Sequence, residues 1–510
     1  MPLFFFFGFF AGGKAGDDLI SAAFSCKILR RQLEEEPVSV RSQTPAAGQD
    51  AWTVGKAVYA VLTGALLLSY LYVILTYREG FMFNGGIYAL PVWIWVLRLV
   101  SVGMTLVLGK VWKDKGFWIL MAYLLLMVVR LLLENSIRLF ALSVSESLLC
   151  GMWVYIACYG LARVLSLRQL KQLAMTFAAL WTMGMVVLSG VGLYAYWTDQ
   201  KILNLTGTAF FGVWEQRLTL CYIVTGSAAT ISLSFGIAML CFLSVRKKII
   251  KVAYGLAMIV LLTALVLSST RTANITAGIN LGICAGIGIL HRYYMKWKSG
   301  NEKPSMGKVI GAWLLALMAA GIVLAVVMFG LMRMVPVMNN LKTRGGIVSI
   351  AFAENASTGE SIVYRSYFEV GLNKRVDNWK AIITYLKNNP TILLTGASIF
   401  YPMEGIGLPF PVQHAHCRML MTVLESGVPG LLLYLLFYGY IVWCSLRLVK
   451  SGEHPRWIRL LPSLVAGLVI GDLVECLTWL QAGGYLMLPF LFAACGVIST
   501  YGSKKEVACE

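Results

Sequence analysis

The sequence predicts an all-α polytopic membrane protein with about twelve transmembrane helices and one long extracytoplasmic loop that carries short helices. Hydrophobic residues make up 58% of the 510 residues and charged residues only 13%, whereas soluble domains are about 45–50% apolar and about 25% charged. Apolar windows of about 20 residues, long enough to cross a bilayer, recur along the chain. The composition excludes a soluble globular protein, and the aromatic content of 12% excludes a disordered one.

The apolar windows define the spans and the domain boundaries. The predicted spans are 54–76, 87–109, 116–133, 146–163, 173–195, 219–244, 252–269, 273–290, 309–332, 427–446, 460–478 and 482–500. They divide the chain into a cytoplasmic N-terminal segment (1–53), transmembrane helices 1–9 (54–332), an extracytoplasmic cap loop (333–426), transmembrane helices 10–12 (427–500) and a cytoplasmic tail (501–510). The apolar run that opens the N-terminal segment is too short to span a bilayer. A start site assigned too far upstream and a surface anchor are the two explanations that stay open for this run.

The basic residues set the orientation. The net charge is +19, and in a membrane protein such a surplus marks cytoplasmic loops before it marks any ligand. Nucleic acid is therefore not predicted as a partner. The basic links that fall on one side are Lys110/Lys113/Lys115, Arg163/Arg168/Lys171, Arg246/Lys247/Lys248/Lys251, Arg292/Lys296/Lys298/Lys303/Lys308 and Arg447/Lys450/Arg456/Arg459. By the positive-inside rule this side is cytoplasmic, with both termini on it.

The cap loop shows helical periodicity and is predicted to be folded. An apolar stripe at helical spacing predicts a helix that ends at Asn389-Pro390. The stripe consists of Val376, Trp379, Ile382, Ile383 and Leu386. A second short helix is predicted from about Ala415 to Glu425, ended by the break at Gly427-Val-Pro-Gly430.

On the predicted outer side, arginines stand at three kinds of position: in a short link, at the start of a span and in the cap. Arg271 stands in the link Ser268-Ser-Thr-Arg-Thr, whose hydroxyls and guanidinium suit phosphate oxygens. Snorkelling to the lipid headgroups is its alternative role. Arg217 begins another predicted span, 219–244, from the outer side, where an interfacial anchor is the alternative. Arg344, Arg365 and Arg375 of the cap are either solvated or site residues.

The histidines give the candidate for acid–base chemistry. Two of the four in the chain, His414 and His416, stand just before the break at Gly427. Imidazole suits a general base because its usual pKa lies near neutral pH. A zinc site is a weak alternative, since no Cys pair or spaced carboxylate accompanies them, and an interfacial histidine without a task is another.

Two arginines fall inside predicted spans. Arg130 lies near the outer end of its span, from which its side chain can snorkel to the headgroups. Arg98 lies at the middle of its span, where a charge costs about 2.5–3.5 kcal/mol on insertion scales. Its predicted partner is Glu146, Asp472 or Glu475 in a structural ion pair, and a substrate contact is the alternative.

Four separated pieces of sequence, considered together, resemble one family. They are Arg217 after a medium outer loop, Ser-Thr-Arg-Thr at 269–272, Arg375-Val-Asp-Asn-Trp379 followed by Pro390 and Gly396, and His416-Cys-Arg-Met-Leu420 followed by Glu425-Ser-Gly427-Val-Pro-Gly430. Their order and spacing resemble the bacterial O-antigen ligases and the related polymerases of lipid-linked polysaccharide repeat units, which are multi-span glycosyltransferases. The chain departs from the family pattern at Cys417, where the family usually has Asn, and at Ser398, where a second Gly is common.

The resemblance implies transfer of a glycan from undecaprenyl diphosphate to an acceptor sugar hydroxyl at the outer face of the bacterial plasma membrane, without a metal or other cofactor. It implies that Arg217 and Arg271 bind the diphosphate and that His416, aligned by Leu420 and Glu425, takes the proton of the attacking hydroxyl. Arg375 would orient the cap helix or touch the glycan. His414 has no such role.

A transporter or flippase for a lipid-linked or polar substrate is the alternative function. Transporters tend to have repeated halves and binding sites near the middle of the membrane. The chain has no internal repeat, and its polar residues crowd one side, which favours an enzyme. The sequence leaves open whether the acceptor is a lipid A core or other wall component, as for a ligase, or a second lipid-linked repeat, as for a polymerase.

Overall fold

The computed structural model describes residues 53–76, 92–133, 149–198, 200–205, 210–214, 217–220, 224–268, 270–300, 304–344, 373–398, 403–409, 415–451, 454–473 and 488–503. Within these ranges lie fourteen α-helices, one 3-10 turn (Val111–Lys113) and one small sheet. The helices are α1 Val54–Thr76, α2 Val92–Gly109, α3 Lys115–Leu133, α4 Leu149–Val164, α5 Leu167–Thr198, α6 Val224–Ser244, α7 Lys248–Leu267, α8 Arg271–Ser299, α9 Met306–Arg344, α10 Asn373–Asn388, α11 Pro390–Thr395, α12 Arg418–Lys450, α13 Arg456–Gly471 and α14 Leu488–Gly502.

The length and apolar composition of the helices are those of an all-α membrane protein. Six helical segments of the described part are long and apolar enough to cross a membrane. They are Leu167–Thr198, Gly226–Ser244, Lys248–Leu267, Thr272–Ser299, Met306–Val327 and Arg418–Lys450. Shorter apolar helical segments lie at Val54–Leu68, Leu99–Gly109, Met152–Val164 and Phe490–Gly502. The membrane class is thus supported, whereas the predicted count of twelve spans is not established by these helices.

The loop before α6 contains the sheet. Strands β1 Ile202–Leu203, β2 Phe210–Trp214 and β3 Arg217–Leu220 pair antiparallel in the order β1-β2-β3, with Trp214 opposite Arg217. The prediction that Arg217 begins a membrane span is therefore wrong. Arg217 opens a strand instead, and the helix after it starts only at Val224. Alternating Leu218 and Leu220 are buried together with Thr219 in this strand, and such a short run does not distinguish a strand from a helix end by hydropathy.

Glycines set the closest helix packing. Gly278, Gly282 and Gly286 recur every fourth residue on one face of α8, which packs against α9. A Cβ atom built at Gly282 would lie 2.6 Å from the carbonyl oxygen of Ala320 in α9. Small residues at this spacing let helix backbones approach closely in a membrane, where dispersion contacts replace the hydrophobic effect as the source of association.

One end of the bundle gathers the basic links. Asp114, just before α3, accepts hydrogen bonds from the Tyr440 hydroxyl of α12 at 2.8 Å, the Ser499 hydroxyl of α14 at 2.7 Å and the Tyr155 hydroxyl of α4. His291, near the end of α8, contacts the carbonyl oxygen of Val449 at 3.2 Å and the guanidinium of Arg459. These contacts place the links α2–α3, α8–α9 and α12–α13 toward the same end of the bundle. We call this the basic end.

The opposite end carries the cap, and we call it the cap end. There Ile382 and Leu386 of α10 pack in one buried cluster with Met421 and Leu424 of α12. The predicted stripe of the cap helix is correct for these two residues, but Ile383 is 42% exposed. α10 ends at Asn388, and Pro390 opens α11 as its first residue, as a proline suits the start of a helix.

Candidate functional site

The candidate site is built around the link that precedes α12. His416 is half-buried and adopts a left-handed backbone conformation with φ of 49°. For a residue other than glycine this conformation costs on the order of 1–3 kcal/mol and persists only where the surroundings enforce it. The neighbours of His416 must therefore be firmly held.

Two hydrogen bonds hold the backbone on either side of His416, one at Ala415 and one at Arg418. The indole Nε1–H of Trp379, in the cap helix α10, donates to the carbonyl oxygen of Ala415 at 2.7 Å. The backbone N–H of Arg418, the first residue of α12, donates to the carbonyl oxygen of Asp472 at 2.9 Å. Asp472 caps the C-terminus of α13. The link is thus tied on one side to the cap and on the other to a helix of the bundle.

A buried ion pair lies inside α12 directly after the link. The Arg418 Nη2 atom lies 2.9 Å from the Glu425 Oε2 atom, and each side chain is only 2% exposed. The residues are seven apart and therefore on one face of the helix. A cation at a helix N-terminus opposes the helix dipole, so the carboxylate of Glu425 offsets an otherwise unfavourable arginine. Arg418 was not predicted as a site residue, and Glu425 entered the prediction only through the resemblance to the family. The spacing of seven residues between them was the signal that could have found the pair.

A close backbone contact joins α11 to the kink in α12. Gly427 interrupts α12 with φ of 68°, and Gly396 follows α11 with φ of 78°. A Cβ atom at Gly396 would lie 2.7 Å from the Glu425 carbonyl oxygen, and one at Gly427 would lie 2.6 Å from the Leu394 carbonyl oxygen. The N–H of Ala397 also donates to the carbonyl oxygen of Leu424 at 2.6 Å. The predicted break at Gly427 is present, although the helix before it begins at Arg418 and not near Ala415.

Arg130 of α3 also contributes to the cap contact. Its side chain is 8% exposed, and Nη2 lies 3.4 Å from the carbonyl oxygen of Gly396 and 3.5 Å from that of Ala397. The expectation that Arg130 snorkels to the headgroups is wrong, because these carbonyl oxygens accept its guanidinium inside the protein. Helix α3 is thereby connected to the loop that packs on Gly427.

Arg217 is half-buried at the start of β3, and it interacts with another residue of the protein. β3 contacts α5, α6 and α7, and its last residue Leu220 donates its N–H to the Ser227 hydroxyl of α6 at 3.1 Å. α7 ends at Leu267, four residues before Arg271. The strand that carries Arg217 therefore lies against the helix that leads to Arg271.

Arg271 is the first residue of α8. Ser268 and Thr270 before it are buried. Their hydroxyls donate to backbone carbonyl oxygens of Leu265 at 2.6 Å and of Ser268 at 3.1 Å. The expectation that these two hydroxyls are available to a phosphate is therefore wrong. The backbone N–H groups at the start of α8 are further donors of the link, as at other anion-binding helix N-termini.

The start of α8 and the end of α13 lie side by side. A Cβ atom at Gly467 of α13 would be 3.0 Å from the carbonyl oxygen of Thr276 in α8. One turn after Gly467, Asp472 holds the backbone of Arg418. Arg271 and the His416 link consequently belong to the same end of the bundle. Arg375, also half-buried, stands one turn before Trp379 in α10 and joins this end through the cap helix.

Some predicted residues lie outside the described part. These are Glu146, Glu475, Arg365 and His414, together with the segment 1–52 and the tail residues 504–510. For Arg98, Arg271 and Arg344 the described part is the backbone, so the predicted partner of Arg98 stays a prediction. In the described ranges there is no group of three or more His, Cys, Asp or Glu side chains that could hold a metal ion.

Comparisons with known proteins add no family. No protein-family model matches the chain, and no curated protein matches it.

Proposed function

We propose that this protein is a membrane glycosyltransferase of the O-antigen ligase or polysaccharide polymerase type. It transfers a glycan from undecaprenyl diphosphate to the hydroxyl of an acceptor sugar or lipid-linked glycan. The observation that carries the proposal is the meeting of sequence pieces that are far apart in the chain. Trp379 and Gly396 belong to one motif piece and Glu425 to another. The Trp379 indole donates to the carbonyl oxygen of Ala415, next to the left-handed His416, and a Cβ atom at Gly396 would lie 2.7 Å from the carbonyl oxygen of Glu425.

The proposal includes the membrane topology. Each predicted span overlaps one of twelve described helices, α1–α9 and α12–α14, and we propose that all of them cross the membrane. The basic end would face the cytoplasm with both termini, and the cap end would face the outside of a bacterial inner membrane. A cysteine at Lys380, which is exposed on α10, should then react with a membrane-impermeant maleimide in intact cells. A cysteine at exposed Lys298 should react only after lysis.

In the proposed reaction, the acceptor oxygen forms a bond to the anomeric carbon of the donor glycan as the bond from that carbon to the diphosphate breaks. The proton of the acceptor hydroxyl passes to the imidazole of His416. The diphosphate leaves with the bonding electron pair, and Arg217 and Arg271 stabilise the charge that develops on it. Hydrogen bonds to charged groups contribute about 1.5–3 kcal/mol each. No metal is required by this scheme, since the guanidinium groups supply the positive charge.

Cys417 fits the proposal structurally although it departs from the family pattern. It is the N-cap residue of α12, and its side chain makes no capping hydrogen bond. An asparagine at an N-cap would accept a bond from the first turn. The backbone N–H of Arg418, the first residue of α12, is satisfied by the Asp472 carbonyl oxygen. The N–H groups that an asparagine side chain would cap belong to the next two residues of the helix, so α13 satisfies a different donor of the same helix start.

The experiment that tests the proposal is glycan transfer by purified protein in liposomes with undecaprenyl-diphosphate-linked donor, an acceptor glycan and a metal chelator. Product should form with wild type and fall about 10- to 100-fold in Arg217→Lys and Arg271→Lys, because lysine keeps the charge but loses the two-point contact to phosphate. Lys201→Arg, exposed beside β1, is a matched control. Movement of the intact donor across the bilayer without any transfer would instead establish the flippase alternative.

A further inference from the structure

A cavity lies inside the bundle far from the cap. It has a volume of about 160 Å³ and is lined by residues of α1, α4, α5, α6, α13 and α14. Its wall is almost entirely apolar, with Leu67, Leu161, Phe177, Ala178, Leu464 and Phe490 among the lining residues. An engineered apolar cavity of about 150 Å³ stays dry and binds benzene. The cavity therefore suits a short length of hydrocarbon chain and does not suit a sugar.

The cavity begins at the basic end. Ser244 is the last residue of α6, Trp457 is the second residue of α13, and Leu170 lies in the first turn of α5. All three line the cavity. From there it extends inward to Thr63, near the middle of α1. A hydrocarbon chain would thus enter from the leaflet on the basic side.

Two hydrogen-bonding groups without partners lie near this entrance. The Ser244 hydroxyl oxygen and the Trp457 Nε1 atom are buried, and neither has a hydrogen-bond partner among the described residues. Buried polar atoms are nearly always hydrogen-bonded in folded proteins. The hydroxyl and the indole N–H are both donors, and the ester carbonyl oxygens of a glycerolipid are acceptors at the depth where helices meet the headgroups.

The entrance is surrounded by positive charge. Arg246 and Lys247 follow Ser244, Arg456 precedes Trp457, and Lys171 follows Leu170. Arg246 and Arg456 are exposed, and the two lysines are half-exposed. Basic residues at the level of the headgroups favour anionic lipids by electrostatic attraction. From the surface inward, charge, hydrogen-bond donors and apolar volume thus follow one another in the order of the headgroup, ester and acyl chain of a phospholipid.

We propose that this cavity binds one acyl chain of an anionic phospholipid from the leaflet at the basic end. The phosphate lies against Arg246, Lys247 and Arg456, the ester oxygens accept hydrogen bonds from Ser244 and Trp457, and the chain fills the space up to Thr63. This site is separate from the cap end and does not depend on the proposed transfer reaction. The lipid acts there as a structural ligand that fills the gap between six helices.

The test is native mass spectrometry of the delipidated full chain titrated with phosphatidylglycerol or phosphatidylcholine. The wild-type protein should bind one molecule of phosphatidylglycerol, and its affinity for this lipid should be higher than its affinity for phosphatidylcholine. Ala178→Leu fills the cavity and should abolish this binding, whereas Ala179→Leu, exposed on the neighbouring face of α5, should retain it. Arg246→Gln and Arg456→Gln should each weaken phosphatidylglycerol binding about fivefold and leave phosphatidylcholine binding unchanged.

Ser244→Ala provides a second measurement if Ala178→Leu does not fold, because it removes one donor without adding volume. It should weaken binding of the diacyl lipid and leave binding of its ether-linked analogue unchanged. Equal binding of the two phospholipids, unchanged binding in both Ala178→Leu and Ser244→Ala, or displacement of phosphatidylglycerol by an undecaprenyl phosphate would each overturn the proposal.

Discussion

The guanidinium of Arg418 and the carboxylate of Glu425 form an ion pair at 2.9 Å with both side chains 2% exposed. The pair stands between His416 and the kink at Gly427, two residues from each. It therefore fixes the short helical segment that directly follows the candidate base. Charge removed from water in this way is costly unless it is matched, so the two residues depend on each other.

The first prediction concerns this dependence. Glu425→Gln should destabilise the protein by about 3–5 kcal/mol, because it leaves the buried guanidinium without its counter-charge. The double variant Arg418→Leu/Glu425→Leu should regain most of the loss, since a buried apolar pair of similar volume is often neutral. Thermal unfolding of the detergent-solubilised protein measures both. Asp377→Asn, in an exposed pair at 4.0 Å with Lys380, is the control and should have no effect. Additive losses in the double variant would contradict the coupling.

The second prediction separates steric contact from backbone conformation at Gly396. Gly396→Ala should lower stability by several kcal/mol, because its Cβ would lie 2.7 Å from the Glu425 carbonyl oxygen, and backbone cannot yield as a side chain can. Gly405 has nearly the same φ, 74°, but nothing lies within 4 Å of a Cβ atom there. Gly405→Ala should therefore cost only about 1 kcal/mol. The two melting temperatures give the comparison, and equal losses would show that α11 is not tightly packed against α12.

The third prediction concerns the N-cap of α12. Cys417→Asn should stabilise the protein by about 1 kcal/mol, because asparagine can accept a hydrogen bond from the first turn while cysteine here makes none. Transfer activity should be kept or raised. Cys417→Ala is the matched control, since it removes the thiol without adding a cap. The same thermal shift in both variants would mean that the gain does not come from capping.

The fourth prediction concerns Trp379. Trp379→Phe removes the hydrogen bond to the Ala415 carbonyl oxygen and keeps an aromatic ring in the cap. One such bond contributes about 1 kcal/mol, so kcat should fall about fivefold while KM for the donor changes little. Trp197→Phe, 40% exposed at the end of α5, is the control. Trp197→Phe should keep the wild-type kcat. If Trp379→Phe keeps it as well, the cap helix does not position the His416 link.

Hydropathy was sufficient to find the long helices and insufficient to find where polar groups lie. Every predicted span overlaps a described helix because a run such as 54–76 is predominantly apolar over more than 20 residues, a length that favours a helix over a strand. Arg217 was misplaced because four strand residues and the first turn of a helix have the same apolar content. Only the pairing of Trp214 with Arg217 across β2 and β3 distinguishes them.

The site was predictable where its residues form a motif and unpredictable where they meet through space. The spacing from His416 to Glu425 is local, and so is the break at Gly427. Arg130 is 266 residues from Gly396, and nothing in its own span indicates that carbonyl oxygens of the cap accept its guanidinium. Arg418 was missed for a different reason: a buried arginine at a helix start is unfavourable by itself, and its partner lies two turns further on.

The last prediction is that His416 is the general base and His414 is not. The backbone of His416 is held in the left-handed conformation between Ala415, bound to Trp379, and Arg418, bound to Asp472. Such restraint fixes the direction from which its side chain leaves the backbone, which is what a base needs in order to meet a bound hydroxyl. General base catalysis contributes about 10²–10⁴-fold. His416→Ala should therefore lower glycan transfer by about that factor at unchanged expression.

His414→Ala is the matched variant and should cost less than about tenfold, because removing a residue that neither donates nor accepts the transferred proton leaves the catalysed step in place. A dead His414→Ala variant beside an active His416→Ala variant would move the base by two residues and separate the strained link from the chemistry.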